Sequence, residues 1–271
     1  MNLETLVRLA LDEDLGSGDV TTEACVDPAR QGTARVIAKQ DLVVAGQAAA
    51  VEVFRQLGGR WTAVRPDGAS AHPGDLVGEV AGPLAVLLRG ERVALNFLMR
   101  LSGIATHTRS VVDAAAGLRV LDTRKTTPLH RSLEKQAVRA GGAYNHRFGL
   151  YDGVLVKDNH IVAAGGVTIA ITRARAHAHH LLRIECEVET LDQLREALDA
   201  GADAVLLDNM DDATLREAVR INAGRAMLEA SGNMDRERIV RIKSIGVDCV
   251  SMGGLIHQSR WVDLSMRILD R

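Results

Sequence analysis

Beyond residue 118 the chain keeps one rhythm, in which a short apolar run is followed by ten or more residues with apolar positions at helical spacing. The runs cover residues 119–121, 153–156, 183–188, 204–207, 226–228 and 247–251. Between them lie amphipathic stretches such as 190–200, which opens on a Thr190/Gln193 capping-box pattern, and 211–222. Six strand-then-helix units imply parallel strands joined by helical crossovers. An α/β barrel is the leading expectation, with an open doubly wound sheet as the alternative. The first hundred residues read differently: a helix over 3–11, β-rich runs at 34–38 and 42–45, an Ala-rich helix over 47–57, and short strands around Pro66-Asp67-Gly68 and Pro73-Gly74 turns. Two helices, 91–101 and 104–116, follow, with Ser102-Gly103 expected to bend or break them apart. The texture changes near residue 100, so a compact α+β unit precedes the strand-and-helix part; the expected domains are 1–102 and 103–256, with 257–271 expected to pack back on the first.

Composition narrows the function. The 271 residues carry 33 Lys and Arg against 35 acids, a formal charge of −2, which favours neither nucleic acid nor a polybasic membrane surface. Only seven aromatics are present, too few for base-stacking platforms. Apolar runs such as 81–88 are broken by Gly or Pro and fall short of a membrane span, and the first residues lack a secretory pattern, so a cytoplasmic protein is expected. Cys25, Cys186 and Cys249 have no metal or disulfide spacing and are expected to be small buried residues.

The even charge hides an uneven distribution. Residues 119–157 hold eight Lys and Arg to three acids, whereas 185–237 hold fourteen acids to five Arg. Glu134, Lys135, Arg139, Glu196 and Asp212 are expected on solvated helix faces, and His177, His179 and His180 at a solvated helix end. Asp14–Asp19 reads as a turn and cap, His160 as a cap or supporting residue, and Trp61 and Trp261 as packing residues. Charges at the strand exits are different, because in an α/β barrel functional residues collect there. The basic set Arg124, Lys125, His146, Arg147 and Lys157 suits a small ligand with several carboxylates or phosphates. Glu187 and Asp208, on consecutive strands, suit a hard cation such as Mg²⁺. The Ser231-Gly232 and Gly253-Gly254 turns can offer backbone N–H groups to a phosphate. No P-loop, dinucleotide fingerprint or nucleophile elbow is present. Lys157 as a Schiff-base lysine, or a non-catalytic anion-binding regulator, remain the rival chemistries.

In this order the chain carries EDLGSGDVTTE (13–23), ERVALNFLMRLSGIATHTR (91–109), LDTRKTTP (121–128), GGAYNHRFGLYDGVLVKDNHI (141–161), ECEVETLDQL (185–194), AVLLDNM (204–210), LEASGN (228–233) and GVDCVSMGGLIH (246–257). Together these strings resemble the quinolinate phosphoribosyltransferases, also called nicotinate-nucleotide pyrophosphorylases, along nearly the whole chain. The resemblance implies an N-terminal α/β sandwich and an open, incomplete α/β barrel of about six parallel strands, working as a homodimer. It implies transfer of phosphoribose from phosphoribosyl pyrophosphate to quinolinate with Mg²⁺ and decarboxylation. Thr123, Arg124, His146, Arg147 and Lys157 would surround quinolinate, with Arg92 reaching in from the neighbouring subunit. Lys125, Glu187, Asp208, Ser231, Gly232, Asn233, Met252, Gly253 and Gly254 would serve phosphoribosyl pyrophosphate, with Glu187 and Asp208 on the metal side. Of Glu185, Glu187 and Glu189, which alternate on one strand face, Glu187 takes the functional position. One departure stands out: Leu129-His130 occupies the place where the family usually has Gly-Leu.

Overall fold

The computed structural model describes residues 2–269, which form two compact units. The first comprises residues up to 109 with 127–142 and 258 onward, and the second comprises 110–126 and 143–257. Residues 127–142, which a boundary at 102 assigns to the barrel, therefore belong with the first unit. Among the described residues no helix is long and apolar enough to cross a membrane.

In the first unit α1 (Leu3–Leu15) and α2 (Val20–Cys25) start on Asn2 and Asp19, whose side chains accept N–H bonds from Thr5 and Thr22. Next come β1 (Gln31–Ala38), β2 (Leu42–Val43), α3 (Gln47–Leu57), β3 (Arg60–Ala63), β4 (Ser70–Ala71) and β5 (Leu76–Pro83). The strand β12 (Leu264–Ile268) returns antiparallel to β1, giving the sheet order β12-β1-β5-β3. Trp61 is buried, stacked on Phe54 at 5.8 Å and donating from Nε1 to Gln47 Oε1 at 2.7 Å. Trp261, by contrast, is 52% exposed, and Cys25 is exposed at the end of α2, so neither is the core residue its type suggested.

The Ser102-Gly103 break does not occur. Residues Leu84–Ala115 form one 32-residue helix, α4. The pair serves as a contact surface instead. Ser102 Oγ accepts the Ala45 N–H at 2.9 Å and donates to Ala45 O at 3.1 Å. A Cβ built on Gly103 would lie 2.1 Å from Arg260 O. The small side chains thus permit two backbone segments to approach α4 closely, and the helix tolerates their low propensity because tertiary contacts repay it. Gly103→Ala is accordingly expected to destabilise the protein by about 1–3 kcal/mol, because the obstacle is backbone rather than a flexible side chain. A shift in the denaturant midpoint measures this, and an unchanged midpoint would contradict the close packing.

α5 (Arg131–Ala140) also lies in the first unit, and it corrects the solvated reading of two charges. Glu134 and Lys135 are buried, whereas Arg139 and Glu196 are exposed as expected. Glu134 accepts bonds from the Arg100 guanidinium at 2.9 Å, Thr127 N at 2.8 Å and Thr127 Oγ1 at 2.9 Å. This buried carboxylate is therefore paired and hydrogen-bonded, as a charge removed from water must be.

The second unit holds β6 (Arg119–Leu121), β7 (Val154–Val156), α6 (Asp158–Ala164), α7 (Val167–His177), β8 (Ile184–Val188), α8 (Leu191–Asp199), β9 (Ala204–Asp208), α9 (Asp212–Asn222), β10 (Met227–Ser231), α10 (Arg236–Ile242), β11 (Cys249–Ser251) and α11 (Gly254–His257). Its six strands are parallel in the order β6-β11-β10-β9-β8-β7. From β7 to β11 each strand lies beside its predecessor with no reversal, and β6 follows β11. A doubly wound sheet reverses direction at a switch point, whereas a single direction of winding rolls a sheet into a barrel. Among the described residues β6 and β7 do not pair, which leaves the barrel open between them; there Tyr144 bridges to Leu121.

Candidate active site

The strand exits of the second unit converge on a cavity of about 540 Å³. Thr123, Arg124 and Lys125 follow β6; His146 and Arg147 lie on the loop before β7; Lys157 follows it. Glu187 ends β8, Asp208 and Asn209 end β9, and Ser231, Gly232 and Asn233 end β10. Of the remaining sequence candidates, Met252 is buried and Gly253 and Gly254 lead into α11, none of them lining the cavity. Gly253 nonetheless lies at its edge, because a Cβ there would sit 2.8 Å from Lys125 Cδ, 3.3 Å from Thr123 Oγ1 and 3.2 Å from His257 Nε2. His257 was not singled out from the sequence, although the GLIH string ends on it. Arg92 lies exposed on α4 in the first unit and does not line this cavity.

The alternation along β8 separates three glutamates by depth. Glu185 is buried, Glu187 lines the cavity, and Glu189 lies beyond the strand end, exposed. Lys157 Nζ and Glu187 Oε2 are 2.5 Å apart, so one basic and one acidic candidate neutralise each other. The neighbouring His160 accepts the Lys157 N–H at 2.9 Å and caps α6. Arg147 donates to Gly153 O at 3.0 Å. Its burial, then the adjacent Arg124 guanidinium, hold its pKa below the ordinary arginine value. Two guanidiniums that repel one another in a concave site are relieved by a bound anion.

At the floor of the cavity lies a buried set of residues that stand at or near the strand exits, Asp122 and Glu229 among them, but whose mutual pairing the sequence did not reveal. Asp122, fully buried, accepts from His146 N at 2.8 Å and Asn145 Nδ2 at 2.6 Å, which fixes the loop carrying His146. His146 Nε2 is 3.2 Å from Glu185 Oε2 and 3.7 Å from Glu229 Oε2. Arg147 N–H donates to His146 Nδ1 at 2.7 Å, so the neutral ring carries its proton on Nε2, facing the carboxylates. Burial, then repulsion from Glu185, pushes Glu229 up to about 7. Burial alone would lower His146, but the Glu185 hydrogen bond and the Glu229 and Glu185 charges raise it. Both groups therefore hold protons in the folded protein that the unfolded chain releases at lower pH. The Glu229 contribution is full below about pH 4.5 and is lost as pH rises through about 7, and that of His146 is lost as pH rises through its own raised value. Glu229→Gln is expected to flatten this decline by about 2–3 kcal/mol between pH 5 and pH 8. Urea titrations at the two pH values check it; parallel wild-type and variant profiles would contradict the shared-proton arrangement.

The turns after β9 and β10 use unusual backbone. Gly232 has φ +85°, and Asn209 and Asn233 have φ +54° and +47°. Asparagine is among the side chains that enter this left-handed region at least cost. Asn209 donates to Asp208 Oδ2 at 2.7 Å and accepts from Asn233 Nδ2 at 3.1 Å, orienting the β9 carboxylate and joining it to the β10 turn.

Comparison with known proteins places these features in a family. Residues 19–102 match the family model described as quinolinate phosphoribosyl transferase, N-terminal domain, and residues 104–267 match its C-terminal domain. The chain is 42% identical to the probable nicotinate-nucleotide pyrophosphorylase [carboxylating] of Bacillus subtilis, over 99% of this chain and 94% of that protein. It is 38% identical to the chloroplastic nicotinate-nucleotide pyrophosphorylase [carboxylating] of Arabidopsis thaliana, over 98% and 83%. The crystal structure of NadC from Streptococcus pyogenes superposes with a TM-score of 0.94 at 42% identity, over 99% of this chain and 97% of that one.

Proposed function

The chain belongs to the quinolinate phosphoribosyltransferase family, and from that premise we propose that it transfers phosphoribose to the ring nitrogen of quinolinate with loss of CO₂, giving nicotinate mononucleotide and pyrophosphate for NAD synthesis. The observation that carries this reading is one cavity with a basic wall facing carboxylates and glycine turns. Quinolinate, with two carboxylates, takes the wall of Arg124, His146, Arg147 and Lys157, where guanidiniums bind carboxylates in bidentate fashion. Phosphoribosyl pyrophosphate takes Lys125, Asp208, Glu187 and the turn at Ser231-Gly232-Asn233, with Gly253 at the cavity's edge beside Lys125.

Mg²⁺ fits the acidic side. Glu187 and Asp208 offer hard oxygen donors, and Asn209 orients the second of them at 2.7 Å. Bound there with the diphosphate, Mg²⁺ supplies positive charge that stabilises the leaving pyrophosphate. The protein's own groups do the rest. Lys157 exchanges its ion pair with Glu187 for a quinolinate carboxylate, which frees Glu187 for the sugar-phosphate side. As the C1′–O bond to pyrophosphate loosens, positive charge grows on the ribose and Glu187 and Asp208 favour it. The ring nitrogen bonds to C1′ and becomes cationic. The C2–carboxylate bond then breaks, its electron pair stays on C2 beside that cation, and a proton replaces CO₂. The chain's task is chiefly to position the two substrates and keep the pocket dry.

We further propose a cytoplasmic homodimer in which Arg92 completes the neighbouring site. Loss of quinolinate absorbance on adding phosphoribosyl pyrophosphate and Mg²⁺ tests the central reading. The expected product is nicotinate mononucleotide, free nicotinate is not consumed, and no turnover by metal-loaded protein would overturn it. A Schiff-base lysine has less support, because Lys157 is ion-paired and flanked by Arg124 and Arg147.

A further inference from the structure

The turns after β9 and β10 are tied by their ladder only as far as the Asp208–Ser231 pair and the Asn209 N–H bond to Ser231 O at 3.0 Å. Beyond that point both chains pass through the left-handed region, at Asn209, Gly232 and Asn233. Left-handed non-glycine residues cost on the order of 1 kcal/mol each, and persist only where surrounding groups over-determine them. Arg238, on α10, supplies that determination. One guanidinium nitrogen donates to Gly232 O at 2.9 Å and the other to Met210 O, so a single planar group grips both turns. Its own backbone N–H is held by the Asp235 cap at 2.7 Å, which fixes the helix end that carries it.

In a planar trans peptide the C=O and the next N–H point in opposite directions. With Gly232 O turned to Arg238, the Asn233 N–H is turned away from that guanidinium; Asn209 and Asn233 stand between the active-site cavity and a second groove that Arg238 lines, and Arg238 itself does not line the active-site cavity. We propose that Arg238 is a positioning residue for phosphoribosyl pyrophosphate, latching the β9 and β10 turns together so that Asp208 and the Gly232–Asn233 peptide meet the ligand as one preformed surface. The proposal rests on the phosphoribosyl-transfer reading of this cavity. Lysine keeps the charge but cannot reach two carbonyls with one rigid fork, so the role is separable from simple electrostatics.

Calorimetric titration of the full-length protein with phosphoribosyl pyrophosphate plus Mg²⁺, and separately with quinolinate, tests it. Arg238→Gln and Arg238→Lys are each expected to weaken phosphoribosyl pyrophosphate binding at least ten-fold while quinolinate binding stays within two-fold. Millimolar guanidinium should partly restore Arg238→Ala. Should Arg238→Gln fold poorly, the lysine variant carries the same comparison. Wild-type affinity in Arg238→Lys, or equal weakening of both ligands, overturns the latch. If the wild type binds quinolinate but no phosphoribosyl pyrophosphate, the phosphoribosyl reading itself is wrong, and the latch falls with it.

Discussion

Arg92→Ala and Lys157→Ala are each expected to retain less than about one thousandth of wild-type turnover, since in the proposed site each removes a cation that would hold a substrate carboxylate in place. Mixed after dissociation and reassociation, the two inactive proteins should recover about a quarter of wild-type activity, because in the proposed dimer half the pairs would be hybrids and each hybrid would have one intact site of two. That site takes Lys157 from one chain and Arg92 from the other. Arg92 lies exposed on α4, and the cavity of its own chain is lined without it. An enzyme that used Arg92 within one chain would give no recovery, as every hybrid would contain two broken sites. Gel filtration of the mixture excludes trivial failure to exchange. Activity that stays at the level of the single variants refutes the shared site.

The parts of this architecture set by short-range pattern were legible in the sequence. The six strands fall where the apolar runs do, and strand exits marked the residues that line the cavity, because barrel geometry places those exits together whatever the loops do. Depth and pairing were not legible. Alternation on β8 put Glu185 and Glu187 on one face, but whether a glutamate meets a histidine below or a lysine above depends on which loop returns over it. Glu134 looked like a solvated helix charge because its partners, Arg100 and Thr127, come from another helix and a loop. Ser102-Gly103 looked like a break because the segments at Ala45 and Arg260 that need its small size are far away in sequence. Leu129, where the family usually has Gly, has φ +68°, so the backbone turn that glycine would make easily is retained by a leucine at a cost.

Gly232→Ala is expected to lower kcat/KM for phosphoribosyl pyrophosphate by a hundred-fold or more, while quinolinate affinity stays near the wild-type value. Two penalties meet at this residue. Its φ of +85° costs an alanine about 1–2 kcal/mol, a charge on stability that leaves chemistry intact if the turn keeps its shape. The second penalty alters the shape. A Cβ would lie 2.2 Å from Asn209 Oδ1 and 2.7 Å from Asn209 N, so the turn or Asn209 must move, and Asn209 is the residue that orients Asp208 and bonds Ser231 O. Gly224→Ala separates the two effects. Gly224 has φ +81°, nothing lies within 4 Å of its Cβ position, and it does not line the cavity. Both variants should therefore lose thermal stability, Gly224→Ala by a few degrees in Tm and Gly232→Ala by more because of the added clash, but only Gly232→Ala should lose turnover. If the two variants lose activity alike, the β10 turn has no special part in the reaction. If Gly232→Ala keeps full kcat/KM, the turn does not carry the diphosphate.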